Sequence, residues 1–566
     1  MVEMRKRTEL ALLLAAIALF LILNRAAYKG YFQDDDLDTL AWAKTLPAAD
    51  LLRGLLSPQV SVRNFRPVGA LYYRVLGGYF GLDFPKFIAA IHALHLLNIW
   101  LLWLLARRLG LSPLAASAGA FFFGFHVALF DAWWKPMFVF DVLCATFSLL
   151  TLLSYTYNRW ILSLVWFWLA YKSKELAVML PAVLGCYELW FGNRQWKRLL
   201  PFFAISLLFG LQALFNPSLS HAGTPYARIV GPAAQAKTVE FYTSSLFLLP
   251  YAGLLILPLP FLFRDRRLWL GLAATCLLLV PLLVLPGRMF AVYWYVPLIG
   301  VAIMLAAIAD SRYRVAAALV LLIWLPWDFI NFRETRRVNE RRERQNRAYV
   351  TAIERYARTN SGQRLFVIDF LPEDFQPWGV KGALACFYPG QPITVLHVDQ
   401  PGSQEVIQNG EAAWLHWNRG TGRMDIIKYP KVREPLSYMK MDLKTPGSQL
   451  LSGWYPLEDD FRWTQPDATA VLLRPADVRS FEVAACAVPA QFNAGQRVKL
   501  RVLLDGRALG DHEFTAPGCQ TLRWPAPRSP GGMSKIEFHI TPPFRPAQGD
   551  IRTLGISITG FGFVSE

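Results

Sequence analysis

Long apolar runs occupy most of the first 330 residues, and short polar segments separate them. A helix needs about 20 apolar residues to cross a bilayer, and about eleven runs approach that length, the fifth and sixth being short. We therefore predict a polytopic α-helical membrane domain over residues 1–330. The candidate spans are residues 8–24, 87–106, 113–130, 138–157, 160–172, 176–191, 199–215, 241–262, 268–286, 291–309 and 314–330.

Basic residues fall at alternate ends of these spans. If the amino terminus is cytoplasmic, six clusters of basic residues at the span ends all face the cytoplasm, as the positive-inside rule requires. Loops 25–86 and 216–240 and everything after residue 330 then lie on the other side. We predict a multi-pass protein of the cell (inner) membrane with an uncleaved first span and an extracytoplasmic, periplasmic carboxyl-terminal region. The clusters are Arg5 to Arg7, Arg107 and Arg108, Arg159, Arg194 to Arg198, Arg264 to Arg267, and Arg312 and Arg314.

The chain after residue 330 has the pattern of a water-exposed region. In residues 331–450, the apolar stretches Leu365–Ile368 and Ile393–Leu396 predict two short buried strands around a helix, hence a small α/β region.

From residue 451 onward, apolar and polar residues alternate. Val498, Leu500 and Val502 share one face of a strand, and an Asp505-Gly506 turn follows. This pattern predicts that residues 451–566 form a β-sandwich. Its tryptophans, Trp454 and Trp463, suit either a packed core or a sugar-binding face, and we describe the domain as carbohydrate-binding-like and non-catalytic.

Composition supports a membrane protein. The chain is 54% hydrophobic and only 17% charged, with a mean hydropathy of +0.29, whereas soluble domains are about a quarter charged. These values exclude a disordered or fibrous protein. The net charge of +17 follows from cytoplasmic loops, so we expect no nucleic-acid partner.

The cysteines leave two readings open. Cys486 and Cys519 either form a disulfide in an oxidising compartment or are small buried apolar residues.

Three consecutive carboxylates, Asp34, Asp35 and Asp36, follow the first span. One interpretation is structural, because Asp favours the start of a helix and residues 37–42 look helical. The other is catalytic: a general base that deprotonates an acceptor hydroxyl or amine with help from a divalent cation.

Several short stretches, taken in order, give residues 1–330 a resemblance to a known family. The chain resembles the GT-C superfamily of membrane glycosyltransferases, especially protein O-mannosyltransferases, tetratricopeptide-bearing mannosyltransferases and bacterial aminoarabinose transferase relatives. The stretches are Phe32 to Asp35, Asn64 to Pro67, His92 to Asn98, Tyr171 to Glu175, and Pro286 to Arg288 with Tyr293 to Tyr295 and Pro297.

The resemblance implies a GT-C-like fold and a glycosyltransferase that uses a polyprenyl- or dolichyl-phosphate sugar donor. It implies action on a protein, lipid or glycan acceptor outside the cytoplasm, among membrane lipids. Asp34 and Asp35 form the implied catalytic pair, with Asp35 as the base. Asp36 departs from the family pattern, as does the lack of a tetratricopeptide array.

A lipid-phosphate leaving group needs cations near the outer membrane surface. Arg288 and Lys174, with Glu175, are candidates for binding this substrate, and so are Arg66 and Arg63 in the first loop. The alternatives are a snorkelling Arg288 and an interfacial Lys174–Glu175 ion pair.

Asp131 lies in the second outer loop, on the same side as the three aspartates. It either orients the acceptor, completes a divalent metal site with Asp35, or is an ordinary carboxylate at the end of a helix. His92 and His95 lie in the second span, where packing is a more common role than function.

A transporter and a structural scaffold are the two alternatives to a glycosyltransferase. A transporter or flippase for a lipid-linked saccharide would also have about eleven spans, but its repeated broken helices are not evident here. A structural scaffold would not need three aspartates in the first outer loop.

The predicted topology can be tested with alkaline phosphatase fusions, because the enzyme is active only outside the cytoplasm. We expect activity for a fusion after residue 330 and none for a fusion near residue 195. The reverse result would place the three aspartates in the cytoplasm.

Overall fold

The computed structural model describes residues 14–58, 66–215, 225, 227–431, 434–495, 497–546 and 550–565. The chain forms two compact units. The first contains residues up to Val350 together with Glu373–Cys386, and the second contains Thr351–Pro372 and Phe387–Glu566.

The first unit is helical. Its helices are α1 (Leu14–Leu23), α2 (Asp34–Thr45), α3 (Ala48–Leu56), α4 (Pro67–Phe80), α5 (Phe84–Arg108), α6 (Pro113–Phe125), α7 (Phe130–Trp134), α8 (Val139–Thr156), α9 (Trp160–Ser173), α10 (Leu180–Trp190), α11 (Leu200–Phe215), α12 (Pro232–Phe247), α13 (Leu259–Phe263), α14 (Arg266–Leu283), α15 (Leu298–Ala309), the first part of α16 (Arg314–Thr359) and most of α17 (Pro377–Phe387). Short 3-10 turns precede or interrupt several of them, including Glu175–Met179 and Ala291–Tyr295.

The apolar helices suit a membrane, but fewer of them than predicted are long enough to cross one. Within the described residues, four helices have the required length and composition, or six if each of two bent pairs is one span. The difference from about eleven arises because the other predicted runs form short helices, such as α10 and α15, or are divided by 3-10 turns. The four are Phe84–Arg108, Pro136–Thr156, Arg266–Leu283 and Arg314–Thr359; the bent pairs are Pro113–Phe125 with Val127–Trp134 and Pro232–Phe247 with Ala252–Phe263.

The second unit contains a small sheet and a large one. The small sheet has strands β1 (Leu365–Ile368), β2 (Thr394–His397), β3 (Ala413–Asn418) and β4 (Arg423–Ile427), with α18 (Ser403–Gln408) between β2 and β3. The strand order is β2-β1-β3-β4, with β1 parallel to both neighbours. Both strands predicted from residues 365–368 and 393–396 are present.

The large sheet has nine strands in one hydrogen-bonded array. They are β5 (Tyr438–Lys440), β6 (Leu450–Glu458), β7 (Phe461–Arg474), β8 (Ser480–Ala487), β9 (Val498–Leu504), β10 (Arg507–Phe514), β11 (Gly518–Pro525), β12 (Gly532–Thr541) and β13 (Ser557–Val564).

This sheet curls almost into a barrel, which differs from the predicted sandwich of two sheets. The strand order runs from β10 to β11, and these end strands approach each other where the Trp524 ring packs on Gly510. The predicted alternation is correct, since Val498, Leu500 and Val502 are buried. Alternation identifies the inner face of each strand but does not say whether the faces belong to one sheet or two.

Three further expectations for this domain can be compared with the structure. Trp454 stacks on Phe561 with ring centroids 5.5 Å apart, and Trp463 is buried, so both tryptophans pack rather than form an open sugar-binding face. Cys486 and Cys519 form a disulfide between β8 and β11. Strand β5 precedes the predicted boundary at residue 451, yet it pairs with β13.

The pairing of β5 with β13 predicts that the autonomous domain begins before β5 and not at residue 451. Met439 and Met441 are buried in the core of the large sheet, and each buried side chain contributes about 1.5 to 3 kcal/mol. We expect a purified 434–566 fragment to unfold cooperatively and to exceed the 451–566 fragment in free energy of unfolding by at least about 2 kcal/mol. Urea titrations followed by circular dichroism measure this difference. Equal stabilities would show that β5 is dispensable.

Candidate active site

The three aspartates form the first turn of α2, where the positive end of the helix dipole favours carboxylates. Successive residues of a helix point about 100° apart, so the three side chains face different surroundings. Asp36 is fully buried, Asp34 is partly buried and Asp35 is exposed. The structural interpretation therefore suits Asp36, and the catalytic interpretation stays a prediction for Asp34 and Asp35.

Asp36 has a structural role. Its carboxylate accepts hydrogen bonds from the Tyr73 hydroxyl at 2.6 Å and from the Gln33 backbone amide at 2.8 Å, which caps the helix. Burial raises the pKa of Asp36 to about 7, although both hydrogen bonds oppose the shift. This arrangement agrees with placing Asp36 outside the catalytic pair, which stays a prediction.

Asp34 lies against α17. An added Cβ at Gly379 would lie 2.9 Å from both Cα and Cβ of Asp34, so only glycine allows this approach. Burial raises the pKa of Asp34 to about 7, against the opposing effect of the Gln376 backbone amide. A carboxylate with this pKa exchanges protons readily near neutral pH.

Asp35 points outward and has one aromatic partner. The Trp378 indole N–H donates a hydrogen bond to Asp35 Oδ1 at 2.9 Å. Because Asp35 is the exposed member of the triplet, an acceptor hydroxyl can reach it. Trp378 lies more than 340 residues away along the chain, and no pattern in the sequence indicated this contact.

A second polar cluster contains four of the predicted substrate-binding residues. Arg66, the residue before α4, donates three hydrogen bonds of 2.9 to 3.2 Å to Glu175. Such a two-pronged pair fixes the guanidinium plane. The prediction that Lys174 pairs with Glu175 is wrong, since Glu175 pairs with Arg66.

Lys174 instead forms a 2.5 Å ion pair with Asp141 in the first turn of α8. Its ammonium also lies 4.2 Å from the centre of the Tyr293 ring. The Tyr293 hydroxyl accepts a hydrogen bond of 3.1 Å from Arg288. Tyr293 thus joins Lys174 to Arg288, and both interpretations of Arg288, phosphate binding and snorkelling, stay predictions.

Among the described residues of this cation cluster, three cations (Arg66, Lys174 and Arg288) accompany two carboxylates (Glu175 and Asp141). A cluster of three cations suits a phosphate, whose oxygens accept hydrogen bonds from several donors. Asp141 was missed from the sequence because a single carboxylate within an apolar run resembles an end-of-helix residue. Arg63, Asn64 and Phe65, which the sequence analysis also named, lie outside the described residues.

Helix α4 connects the cation cluster to the aspartates. Arg66 stands at its start, and Tyr73, which binds Asp36, lies seven residues further on, roughly 10 Å at the helical rise per residue. Phe140 packs on Gly69 between these two points. A sugar linked to a phosphate can span this distance.

Asp131 does not join either cluster in its recorded contacts. It forms a 2.9 Å ion pair with Lys135, one helical turn away. The described residues contain no group of three or more His, Cys, Asp or Glu side chains able to hold a metal. The cation site of Asp35 with Asp131 stays a prediction.

The two histidines have packing partners. His92 Nδ1 lies 3.0 Å from the Tyr28 hydroxyl and His95 Nδ1 lies 2.6 Å from the Tyr295 hydroxyl. Their other ring nitrogens lie 3.1 and 3.0 Å from the backbone carbonyls of Trp133 and Gly124. These contacts agree with the packing role expected for both residues.

The buried state of Asp36 predicts a pH effect on stability. Because its pKa of about 7 exceeds the value of about 3.9 in an unfolded chain, ionisation costs stability as pH rises through this interval. Asp36→Asn removes the cost. We expect the melting temperature of this variant, relative to the unsubstituted protein, to rise between pH 5 and pH 8 in detergent. Asp50→Asn is the matched control, since Asp50 is exposed and pairs with Arg53. An equal rise for Asp50→Asn would contradict the assignment.

No protein-family model and no curated protein sequence matches the chain.

Solved chains similar in structure to this chain include two of ArnT from Cupriavidus metallidurans, in the apo state and bound to undecaprenyl phosphate. They have 13% and 14% identity and TM-scores of 0.43, with 72% of this chain and 93% of ArnT covered.

Two others are mycobacterial. The arabinofuranosyltransferase AftD from Mycobacteria has 12% identity and a TM-score of 0.38, with 98% of this chain and 61% of AftD covered. The arabinosyltransferase EmbB from Mycobacterium smegmatis has 12% identity and a TM-score of 0.33, with 97% of this chain and 64% of EmbB covered.

Proposed function

We propose that this protein transfers a sugar from a polyprenyl-phosphate-linked donor to an acceptor on the extracytoplasmic side of the membrane. The observation that carries the proposal is the link through α4 between a cluster of three cations and an aspartate triplet with an exposed carboxylate. One cluster suits a phosphate leaving group and the other suits a general base.

The reaction follows from these positions. Asp35 takes the proton of the acceptor hydroxyl, and the acceptor oxygen attacks the anomeric carbon of the donor. The bond between that carbon and the phosphate oxygen breaks, and polyprenyl phosphate leaves with the bonding electrons. Arg66, Lys174 and Arg288 stabilise the negative charge on the leaving phosphate.

Pairing with Glu175 and Asp141 holds two of these cations in place before the donor binds. This preorganisation matters because fixed charges do not have to rearrange as negative charge develops. A divalent cation stays a prediction, and no step here passes through one.

The topology is also part of the proposal. The Cys486–Cys519 disulfide supports an extracytoplasmic carboxyl-terminal unit, because structural disulfides persist in oxidising compartments. We also propose about eleven crossings and a cytoplasmic amino terminus. The acceptor class is a protein, lipid or glycan.

The proposal is tested by measuring sugar transfer and release of undecaprenyl phosphate by the purified full chain, with a panel of radiolabelled undecaprenyl-phosphate sugars. Asp35→Asn keeps the side-chain size and removes the basicity, so we expect transfer to fall by at least about 100-fold. Asp34→Asn should also reduce transfer, while Asp36→Asn is tolerated. Donor binding should stay intact in all three variants.

Asp38→Asn provides the matched control, because Asp38 is an exposed carboxylate on the same helix and should retain transfer. If Asp35→Asn is fully active and Asp36→Asn is inactive, the base is Asp36 and not Asp35. If the unsubstituted protein moves labelled donor across vesicles without transferring sugar, the flippase alternative replaces the proposal.

A further inference from the structure

The indole N–H of Trp378 is used in a hydrogen bond, whereas its ring is exposed. Trp378 lies in the first turn of α17, directly after Pro377, and its indole donates to Asp35 Oδ1. The side chain is nevertheless 48% exposed. Within the part of the chain that the structure describes, no other ring or cation is recorded on its face.

The position of Trp378 is fixed by close packing of α17 on α2. A Cβ at Gly379 would lie 2.9 Å from Asp34 Cα, and one at Gly382 would lie 2.4 Å from the Asp38 backbone nitrogen. The two helices therefore touch through their backbones at points one turn apart. Trp378 precedes the first of these points, so its ring is held rigidly beside Asp35.

An exposed tryptophan near a membrane often belongs to the interfacial belt, but the surroundings of Trp378 differ from such a belt. Its N–H binds a carboxylate instead of water or lipid headgroups. Asp34, Asp35 and Asp38 lie on the helix against it, and Asp374 lies four residues before it, paired with Arg342 at 2.8 Å. This excess of carboxylates disfavours an anionic lipid surface or an acidic acceptor.

A neutral sugar fits both features. One face of a pyranose carries C–H groups that pack on an aromatic ring, while its hydroxyls are hydrogen-bond donors to a neighbouring carboxylate. A sugar stacked on Trp378 would therefore place a hydroxyl next to Asp35. The proposed reaction needs a proton transfer from such a hydroxyl to Asp35.

We infer that Trp378 forms the acceptor subsite, in which the indole N–H positions Asp35 and the exposed ring face stacks on a neutral saccharide acceptor. This inference rests on the proposed function and names the acceptor class. The N–H makes Trp378 a positioning residue for the base. The ring makes it a binding residue for the acceptor.

Two substitutions separate these roles. Trp378→Phe keeps an aromatic face and loses the N–H, so we expect kcat to fall about tenfold with the acceptor KM nearly unchanged. Trp378→Leu loses the ring as well, so the acceptor KM should also rise about threefold or more.

The measurement uses the full chain in detergent, the labelled undecaprenyl-phosphate sugars, and two kinds of acceptor: neutral methyl glycosides and a Ser/Thr peptide. Trp327→Phe and Trp327→Leu are the matched controls, because Trp327 is a similarly exposed tryptophan on α16. Binding of labelled donor shows that each variant is folded.

Saturation-transfer NMR with the methyl glycosides measures acceptor binding without any reaction. We expect a signal in the unsubstituted protein and in Trp378→Phe, and its loss in Trp378→Leu. An unchanged kcat in Trp378→Phe would overturn the positioning role. Equal KM and equal NMR signals in the Phe and Leu variants would overturn stacking.

Transfer to the peptide and not to the glycosides would overturn the acceptor class. If the unsubstituted protein transfers no sugar but it and the variants give the expected NMR signals, the proposed function is wrong and the saccharide subsite is still supported. A protein that transfers sugar with unchanged Trp378 variants would contradict only this inference.

Discussion

The pairing of charges that are partly withdrawn from water is the constraint on which the rest of the site depends. A charged group taken from water costs several kcal/mol unless an opposite charge and hydrogen bonds compensate it. The buried Asp141 pairs with Lys174, and the largely buried Arg66 pairs with Glu175, which is about half exposed. These pairs join the start of α4, the turn after α9 and the start of α8. The ends of three helices are thereby held together around a cluster of three cations.

Three identical residues acquire different properties from the geometry of one helical turn. Asp36 faces α4 and is buried, Asp34 faces α17, and Asp35 faces outward. Burial raises the pKa of Asp36 and Asp34 to about 7. Sequence alone describes this stretch as a run of equal carboxylates. The packing of two helices on either side of α2 is what makes them unequal.

The sequence predicts the local elements well and the long-range contacts poorly. Alternating residues located β9 and its inner face, and the short apolar stretches located β1 and β2, because each pattern depends on neighbours in the chain. Closure of the large sheet depends on Trp524 reaching Gly510, and the environment of Asp35 depends on Trp378. Neither contact leaves a local pattern. The candidate cations Arg66, Lys174 and Arg288 could be named from the sequence, but their partners Asp141 and Tyr293 could not be assigned to them.

Helix α2 lies between α4 and α17, and this arrangement separates the two substrates of the proposed reaction. Through Tyr73 and Arg66, α4 connects the triplet to the cation cluster, which is the donor side. Through Trp378, α17 contacts the exposed carboxylate, which is the acceptor side. The backbone contacts at Gly379 and Gly382 leave no room for α17 to move closer to α2. In the proposed reaction the acceptor hydroxyl approaches Asp35 beside the ring of Trp378, so the shape of that ring would limit which acceptors reach the base.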